Sequence, residues 1–118
     1  MSCKRRVNGL PNLERGNMHK IVYLPLAEGD ILEAVDYIAG TLDAPQAAQA
    51  LLDELDETVE RISKYPYAHE LYRTTRTLRD EIRKVPVKGF VLYYAVFEDT
   101  VEIRRFLHGR KDRQELEL

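Results

Sequence analysis

The chain has a single cysteine, Cys3, and no long apolar run, and both absences restrict where it works. A lone cysteine can form no internal disulfide, which suits the reducing cytoplasm. No stretch approaches the ~18 apolar residues that a membrane span needs. The basic residues Lys4, Arg5 and Arg6 are not followed by the apolar segment of a secretory signal. We therefore expect a cytoplasmic protein that does not associate with membranes.

The patterns that usually mark metal and cofactor sites are also missing. His19, His69, His108 and Cys3 lie far apart in the sequence, without metal-ligand spacing. There is no Gly-rich phosphate loop and no nucleophile elbow. We therefore expect no metal and no cofactor, and we interpret His19 and His69 as surface residues.

Basic residues are absent from a long central stretch. Residues 21–60 hold ten acidic residues and no Lys, Arg or His, whereas residues 61–113 hold thirteen Lys and Arg against seven acids, a local charge of +6. The formal net charge of −2 conceals this division. Two interpretations stay open: two solvated faces of a small protein, or a cationic surface that meets an acidic partner or a phosphate backbone.

The 118 residues are enough for one domain with a single core. Residues 1–17 show no periodicity, and we expect a flexible N-terminal extension before a domain over residues 18–118. Apolar residues at helical spacing predict helices over 27–40 and 44–64, joined as an antiparallel hairpin. Asp43 is predicted to cap the second helix, and Glu28 and Asp30 to interact favourably with the dipole of the first helix from its first turn.

Strand-like segments flank this helical pair. They cover His19–Leu24, Glu81–Val85, Phe90–Phe97 and Val101–Leu107. The segment Phe90–Phe97 is apolar on both faces, which predicts a central strand covered on both sides. The predicted fold is α+β, in the order β-α-α-β-β-β, with a helical hairpin packed on a mostly antiparallel sheet.

The ordered set of segments resembles one family over residues 18–113, the RelE/ParE toxins of bacterial type II toxin–antitoxin systems. The similarity rests on an Asp-plus-apolar first helix ending in Tyr-Ile, a second helix ending before a proline, an arginine on the second strand, a Y-x-V core strand and a basic exit from the last strand. The matching residues are 26–38, Ala47, Ala48, Leu52, Leu55, Ile62, Tyr65-Pro66, Arg83, Tyr94-Ala95-Val96, Val101-Glu102-Ile103 and His108–Asp112.

The resemblance implies a growth-inhibiting toxin, of the kind found in plasmid-stabilisation systems, that a cognate antitoxin encoded beside it neutralises. It also implies one of two targets. ParE-like members bind and poison DNA gyrase without catalysis, whereas RelE-like members are mRNA interferases, that is, ribosome-dependent endoribonucleases. Whether the chain is an enzyme stays open between them. A third reading is a non-toxic protein-interaction module, and the oligomeric state also stays open.

The candidate site residues differ between these classes. If the chain is RelE-like, His108 and Arg83 are the catalytic candidates, because a histidine can transfer protons and an arginine can hold phosphate. The candidates for target or phosphate binding are Arg83, Tyr94, Arg110 and Lys111, with Tyr94 able to stack on a base. Structural alternatives are a strand-end role for His108, pairing of Arg83 with Glu81 or Glu102, and a core position for Tyr93 or Tyr94.

Three features favour the ParE-like branch. His108 is followed by Gly109, whereas some nuclease-type members place a tyrosine beside the C-terminal histidine. Both predicted helices lack a basic residue before Arg61. The exit sequence His-Gly-Arg-Lys-Asp looks closer to ParE-like members.

Overall fold

The computed structural model describes residues 18–73, 78 and 80–109, and their order confirms the predicted β-α-α-β-β-β arrangement. The prediction for residues 1–17 lies outside the described part of the chain. The elements are β1 (Lys20–Tyr23), α1 (Pro25–Asp36), a π-helical turn (Tyr37–Thr41), α2 (Pro45–Lys64), β2 (Arg83–Val87), β3 (Phe90–Phe97) and β4 (Thr100–His108).

The strands form one mixed sheet in the order β1-β4-β3-β2. β3 pairs antiparallel with both β2 and β4, and β1 joins β4 in parallel, so the sheet is mostly antiparallel. Lys88 and Gly89 connect β2 to β3 with φ of 47° and 86°. Two consecutive left-handed residues are what a tight hairpin turn needs to match the twist of its strands.

Both faces of β3 are buried, as its apolar sequence predicts. Leu92 and Tyr94 face the two helices and belong to the main core, while Tyr93 and Ala95 face the opposite side. There they contact Ile82 and Leu107, and partly buried side chains from Tyr72 and Leu78 pack against them. The chain that leads from α2 to β2 therefore helps to cover the far side of the sheet.

The helix starts differ in detail from the sequence prediction. α1 begins at Pro25, and α2 begins at Pro45 with Ala44 as its N-cap and no capping side chain. The cap predicted at Asp43 is therefore wrong, because Asp43 takes a left-handed conformation with φ of 52°. A proline at the first helical position suits a helix start, since its φ is already helical and its missing N–H would have had no partner there.

The end of α1 is also different. The predicted first helix over 27–40 continues into the π-helical turn, in which the N–H of Leu42 donates to the carbonyl of Tyr37 at 3.0 Å. Asp30 lies beyond the first turn, because α1 starts at Pro25. Its predicted interaction with the helix dipole is replaced by buried hydrogen bonds to β4.

Candidate functional site

Arg83 is the first residue of β2 and lies opposite Tyr94 of β3. Its Nη1 donates a 2.8 Å hydrogen bond to the carbonyl of His69, and its guanidinium lies 5.1 Å from the ring centre of Tyr67. Of the two ion pairs predicted for it, the one with Glu81 is present at 4.0 Å. Glu102 instead pairs with Arg104 at 3.0 Å. Arg83 therefore fastens the loop after α2 to the edge of the sheet.

Tyr94 has a structural role in this fold. Its side chain is fully buried, and its hydroxyl donates a 2.7 Å hydrogen bond to the carbonyl of Pro66. Burial raises the pKa of Tyr94 to about 12, although the nearby guanidinium of Arg83 acts in the opposite direction. The suggestion that Tyr94 stacks on a base is not supported, because a ring with no exposed surface cannot meet a ligand in this conformation.

His108 is the last residue of β4 and is exposed. Its ring meets the ring of Phe90 edge-on at 5.5 Å, and Phe90 in turn stacks on Phe106 at 5.0 Å. The N–H of Gly109 donates to the carbonyl of Gly89 at 2.9 Å, which fixes the chain as it leaves the strand. Arg110 and Lys111 lie outside the described residues. Of the basic segment His108–Asp112, the structure therefore describes His108 and Gly109.

The sheet register separates the two residues proposed for catalysis. Arg83 on β2 lies opposite Tyr94, whereas His108 on β4 lies opposite Phe90, four positions away along β3 and two strand spacings across the sheet from Arg83. At about 3.4 Å per residue and about 4.8 Å between strands, the two Cα atoms are roughly 16 Å apart. The fold does not bring Arg83 and His108 together.

His69 is a candidate that sequence reasoning missed. It is half-buried rather than on the surface, and its ring meets Tyr94 edge-on at 6.3 Å. Burial lowers the pKa of His69 below its usual 6.5, and the positive charges of Arg61 and Arg83 lower it further. The loop gave no periodic signal that could place this histidine between a helix and a strand edge.

A shallow groove of about 230 Å³ lies on the far side of the sheet, near the residues that cover β3. It is lined by Leu71, Tyr72, Arg73, Leu78, Asp80, Glu81 and Ile82. In the described ranges, no three His, Asp or Glu side chains group closely enough to hold a metal ion. The described helices are also too short or too polar to cross a membrane.

Comparison with known proteins assigns the chain to a family. The model of the ParE toxin of the type II toxin–antitoxin system parDE matches residues 21–113. Among solved structures, a chain of the chromosomal ParDE toxin–antitoxin system from P. aeruginosa superposes with a TM-score of 0.63 at 15% identity, covering 78% of this chain and 97% of that chain. At that identity the structural match shows a shared fold. No curated protein sequence matched the chain.

Proposed function

Because the chain belongs to the ParE toxin family of type II toxin–antitoxin systems, we propose that it inhibits growth by binding DNA gyrase. A cognate antitoxin, encoded beside it, holds it inactive, as in a plasmid-stabilisation system. In this proposal the chain works by binding and performs no chemistry on its target.

The separation between Arg83 and His108 is the observation that carries this choice of target. Cleavage of RNA by its own 2′-hydroxyl needs a proton acceptor, a proton donor and cations around one phosphate. The catalytic pair suggested by the sequence lies at opposite ends of the sheet, and the hydroxyl of Tyr94 is occupied by the carbonyl of Pro66. A surface that acts by binding has no such requirement for convergent groups.

Exposed apolar side chains support an antitoxin partner. Leu26 and Leu32 on α1 are 49% and 65% exposed, and Val22 and Phe97 on the open part of the sheet are 36% and 38% exposed. Apolar surface of this kind is costly to leave in water and is a common mark of a protein interface. We propose that the antitoxin becomes ordered as it covers exposed apolar side chains of the toxin, on α1 and on the face of the sheet away from α1, which would make the complex more stable than the free toxin.

Growth and two biochemical assays test the target. Induction of the chain alone should stop growth, and co-expression of the neighbouring small gene should restore it. Purified protein should then inhibit supercoiling by gyrase and leave ribosome-bound mRNA intact. Cleaved mRNA with normal supercoiling would replace the gyrase proposal by the RelE-like alternative, and normal growth on induction would favour a non-toxic interaction module.

The antitoxin has its own test. Thermal unfolding of the toxin should shift to higher temperature when its neighbour-encoded protein is added, by an amount that grows with the concentration of that protein. Equal unfolding temperatures with and without the neighbour would contradict the proposed partner and would leave the gyrase assay informative.

A further inference from the structure

The loop after α2 gathers cationic and aromatic side chains at one end of the sheet. We call this group the Tyr67 cluster and define it as Arg61 on α2, Tyr67 and His69 in the loop, and Arg83 on β2. Tyr67 is 60% exposed, and Tyr65 in the same loop is 67% exposed. The ring of Tyr67 lies 5.1 Å from the guanidinium of Arg83, so an exposed ring and a cation are adjacent here.

The loop that carries the cluster is fixed at several points. The buried hydroxyl of Tyr94 donates to the carbonyl of Pro66 at 2.7 Å, and Arg83 donates to the carbonyl of His69 at 2.8 Å. At the start of the loop, the hydroxyl of Ser63 donates to the carbonyl of His19 at 2.8 Å, and the ring of His19 meets that of Tyr67 edge-on at 6.5 Å. Binding groups held in this way lose little conformational entropy when a ligand arrives.

The positive charge of the cluster is weakly neutralised by its ion pairs. Arg83 and Glu81 are 4.0 Å apart, and their side chains are 16% and 78% exposed, so the carboxylate of this pair lies largely in water. Arg61 and Glu54 are 3.9 Å apart, and their side chains are 55% and 40% exposed. Exposed pairs at such distances contribute little, because water screens them and two flexible side chains must be held still. Burial lowers the pKa of the intervening His69, and the charges of Arg61 and Arg83 lower it further, so this side chain adds little positive charge.

We propose that the Tyr67 cluster is a binding site for single-stranded nucleic acid. A backbone phosphate lies against Arg61, whose side chain is 55% exposed. An unpaired base stacks on the face of Tyr67 opposite Arg83, with Tyr65 available to the next base. Stacking on aromatic rings beside arginine is how sequence-tolerant single-strand sites work, since every base has a flat face. An acidic peptide would use the same cations but would gain less from two exposed rings. This site is independent of the proposed gyrase target.

Fluorescence anisotropy with the full-length chain and short labelled single strands, one of oligouridylate and one of oligothymidylate, tests the proposal. Tyr67→Leu keeps an apolar side chain but removes the ring, and it should weaken binding roughly 5- to 100-fold. Arg61→Gln should also weaken binding and reduce its dependence on salt. Unchanged affinity in Tyr67→Leu would overturn the proposal.

Matched controls lie at distant positions of the same chain. Tyr37→Leu removes a ring that is 51% exposed near the start of α2, roughly 30 Å from the cluster along that 20-residue helix. Lys88→Gln removes a charge at the far end of β2, roughly 16 Å from Arg83. Both variants should bind the single strands as the parent chain does, and losses equal to that of Tyr67→Leu would overturn the assignment to this loop.

Competition between ligands distinguishes single-stranded nucleic acid from duplex DNA and from an acidic peptide. A duplex of the same sequence and a polyglutamate peptide should each bind more weakly than the single strand. Tighter binding of either one would overturn the proposal in favour of duplex DNA or of an acidic protein segment. In a nuclear magnetic resonance titration, the ring signals of Tyr67 and His69 should shift with the single strand while those of Tyr37 stay in place, and the reverse pattern would also overturn it.

Discussion

The carboxylate of Asp30 on α1 is the partner of the guanidinium of Arg105 on β4, 75 residues further along the chain. Arg105 donates from Nε at 2.7 Å and from Nη2 at 3.0 Å, and the backbone N–H of Phe106 donates to the same carboxylate at 3.0 Å. The pairing lies where β4 shifts its register, since Tyr93 lies opposite Arg105 and Tyr94 opposite Ile103. Asp30 therefore ties the first helix to the irregular point of the sheet.

Replacement of Asp30 by Asn should strongly destabilise the fold. Asp30 is 8% exposed and the side chain of Arg105 is 15% exposed, so the substitution leaves a guanidinium that is largely buried without its negative partner. We expect the free energy of unfolding to fall by about 3 kcal/mol, as for other broken buried ion pairs. Urea unfolding measures this change.

Glu28→Gln is the matched control, because it removes an exposed carboxylate from the same helix. It should change the free energy of unfolding by no more than about 0.5 kcal/mol. If Asp30→Asn changed the free energy of unfolding as little as Glu28→Gln, the pairing of Asp30 with Arg105 would not stabilise the fold.

Leu55→Ala should create a cavity beneath the second helix. Leu55 is 3% exposed and belongs to the main core between α2 and the sheet. Loss of such a buried leucine costs about 2–5 kcal/mol of unfolding free energy. Leu32→Ala, at a position that is 65% exposed on α1, serves as the control and should cost less than about 0.5 kcal/mol. Equal effects of the two variants would mean that the apolar stripe of α2 has been placed wrongly.

Alkaline pH should reveal two buried phenols. Burial raises the pKa of Tyr23 to about 12, with a further contribution from the carboxylate of Asp56, and burial raises that of Tyr94 to about 12 as well. The folded state thus holds these groups neutral while the unfolded chain ionises near pH 10. Stability is therefore complete below about pH 10 and is lost as the pH rises toward 12, by about 2–3 kcal/mol for Tyr94.

A phenolate absorbance titration measures this behaviour. A late phase should appear near pH 12, and Tyr23→Phe and Tyr94→Phe should each remove part of it. Tyr94→Phe should also cost about 1 kcal/mol at neutral pH, because the carbonyl of Pro66 loses its hydrogen bond. Loss of the whole late phase in the Tyr23→Phe variant alone would show that Tyr94 ionises earlier than its burial requires.

Local pattern was enough to predict some elements of this fold and not others. The strand Phe90–Phe97 was predicted to the residue, because a run that is apolar on both faces fits a central strand and little else. The ion pair of Asp30 could not be predicted in the same way, since Arg105 is distant in sequence. An aspartate near a helix start is also readily explained by the helix dipole. A loop without periodicity carries even less information about which side chains are buried, and so His69 was interpreted as a surface residue.

The Y-x-V motif shows a different limit. Tyr94-Ala95-Val96 correctly indicated the core strand of the family, but Tyr94 was also considered for target binding. Alternation along a strand says that Tyr93 and Tyr94 face opposite sides and does not say that both sides are covered. The covering of the second face depends on Leu78, which lies in a segment with no strand or helix pattern, and on Ile82, which comes just before β2.

The last prediction concerns the mechanism of toxicity. His108→Gln keeps a similar size and some hydrogen-bonding capacity and removes the imidazole that a general acid or base would need. If His108 were a general acid or base, the change should slow RNA cleavage by about 10²–10⁴-fold and relieve growth inhibition. We expect growth inhibition to persist, because His108 is exposed at the end of β4 and lies far from Arg83.

Deletion of residues 110–118 is the companion variant. It leaves β4 and the hydrogen bond between Gly109 and Gly89 in place and removes the basic exit, including Arg110 and Lys111. If these residues meet gyrase, the truncated chain should lose growth inhibition and inhibition of supercoiling while its thermal unfolding stays close to that of the parent. Full toxicity after the deletion would mean that gyrase binds to a surface formed by residues before Arg110. Relief by His108→Gln, together with mRNA cleavage by the parent chain, would instead establish acid–base chemistry at the end of β4.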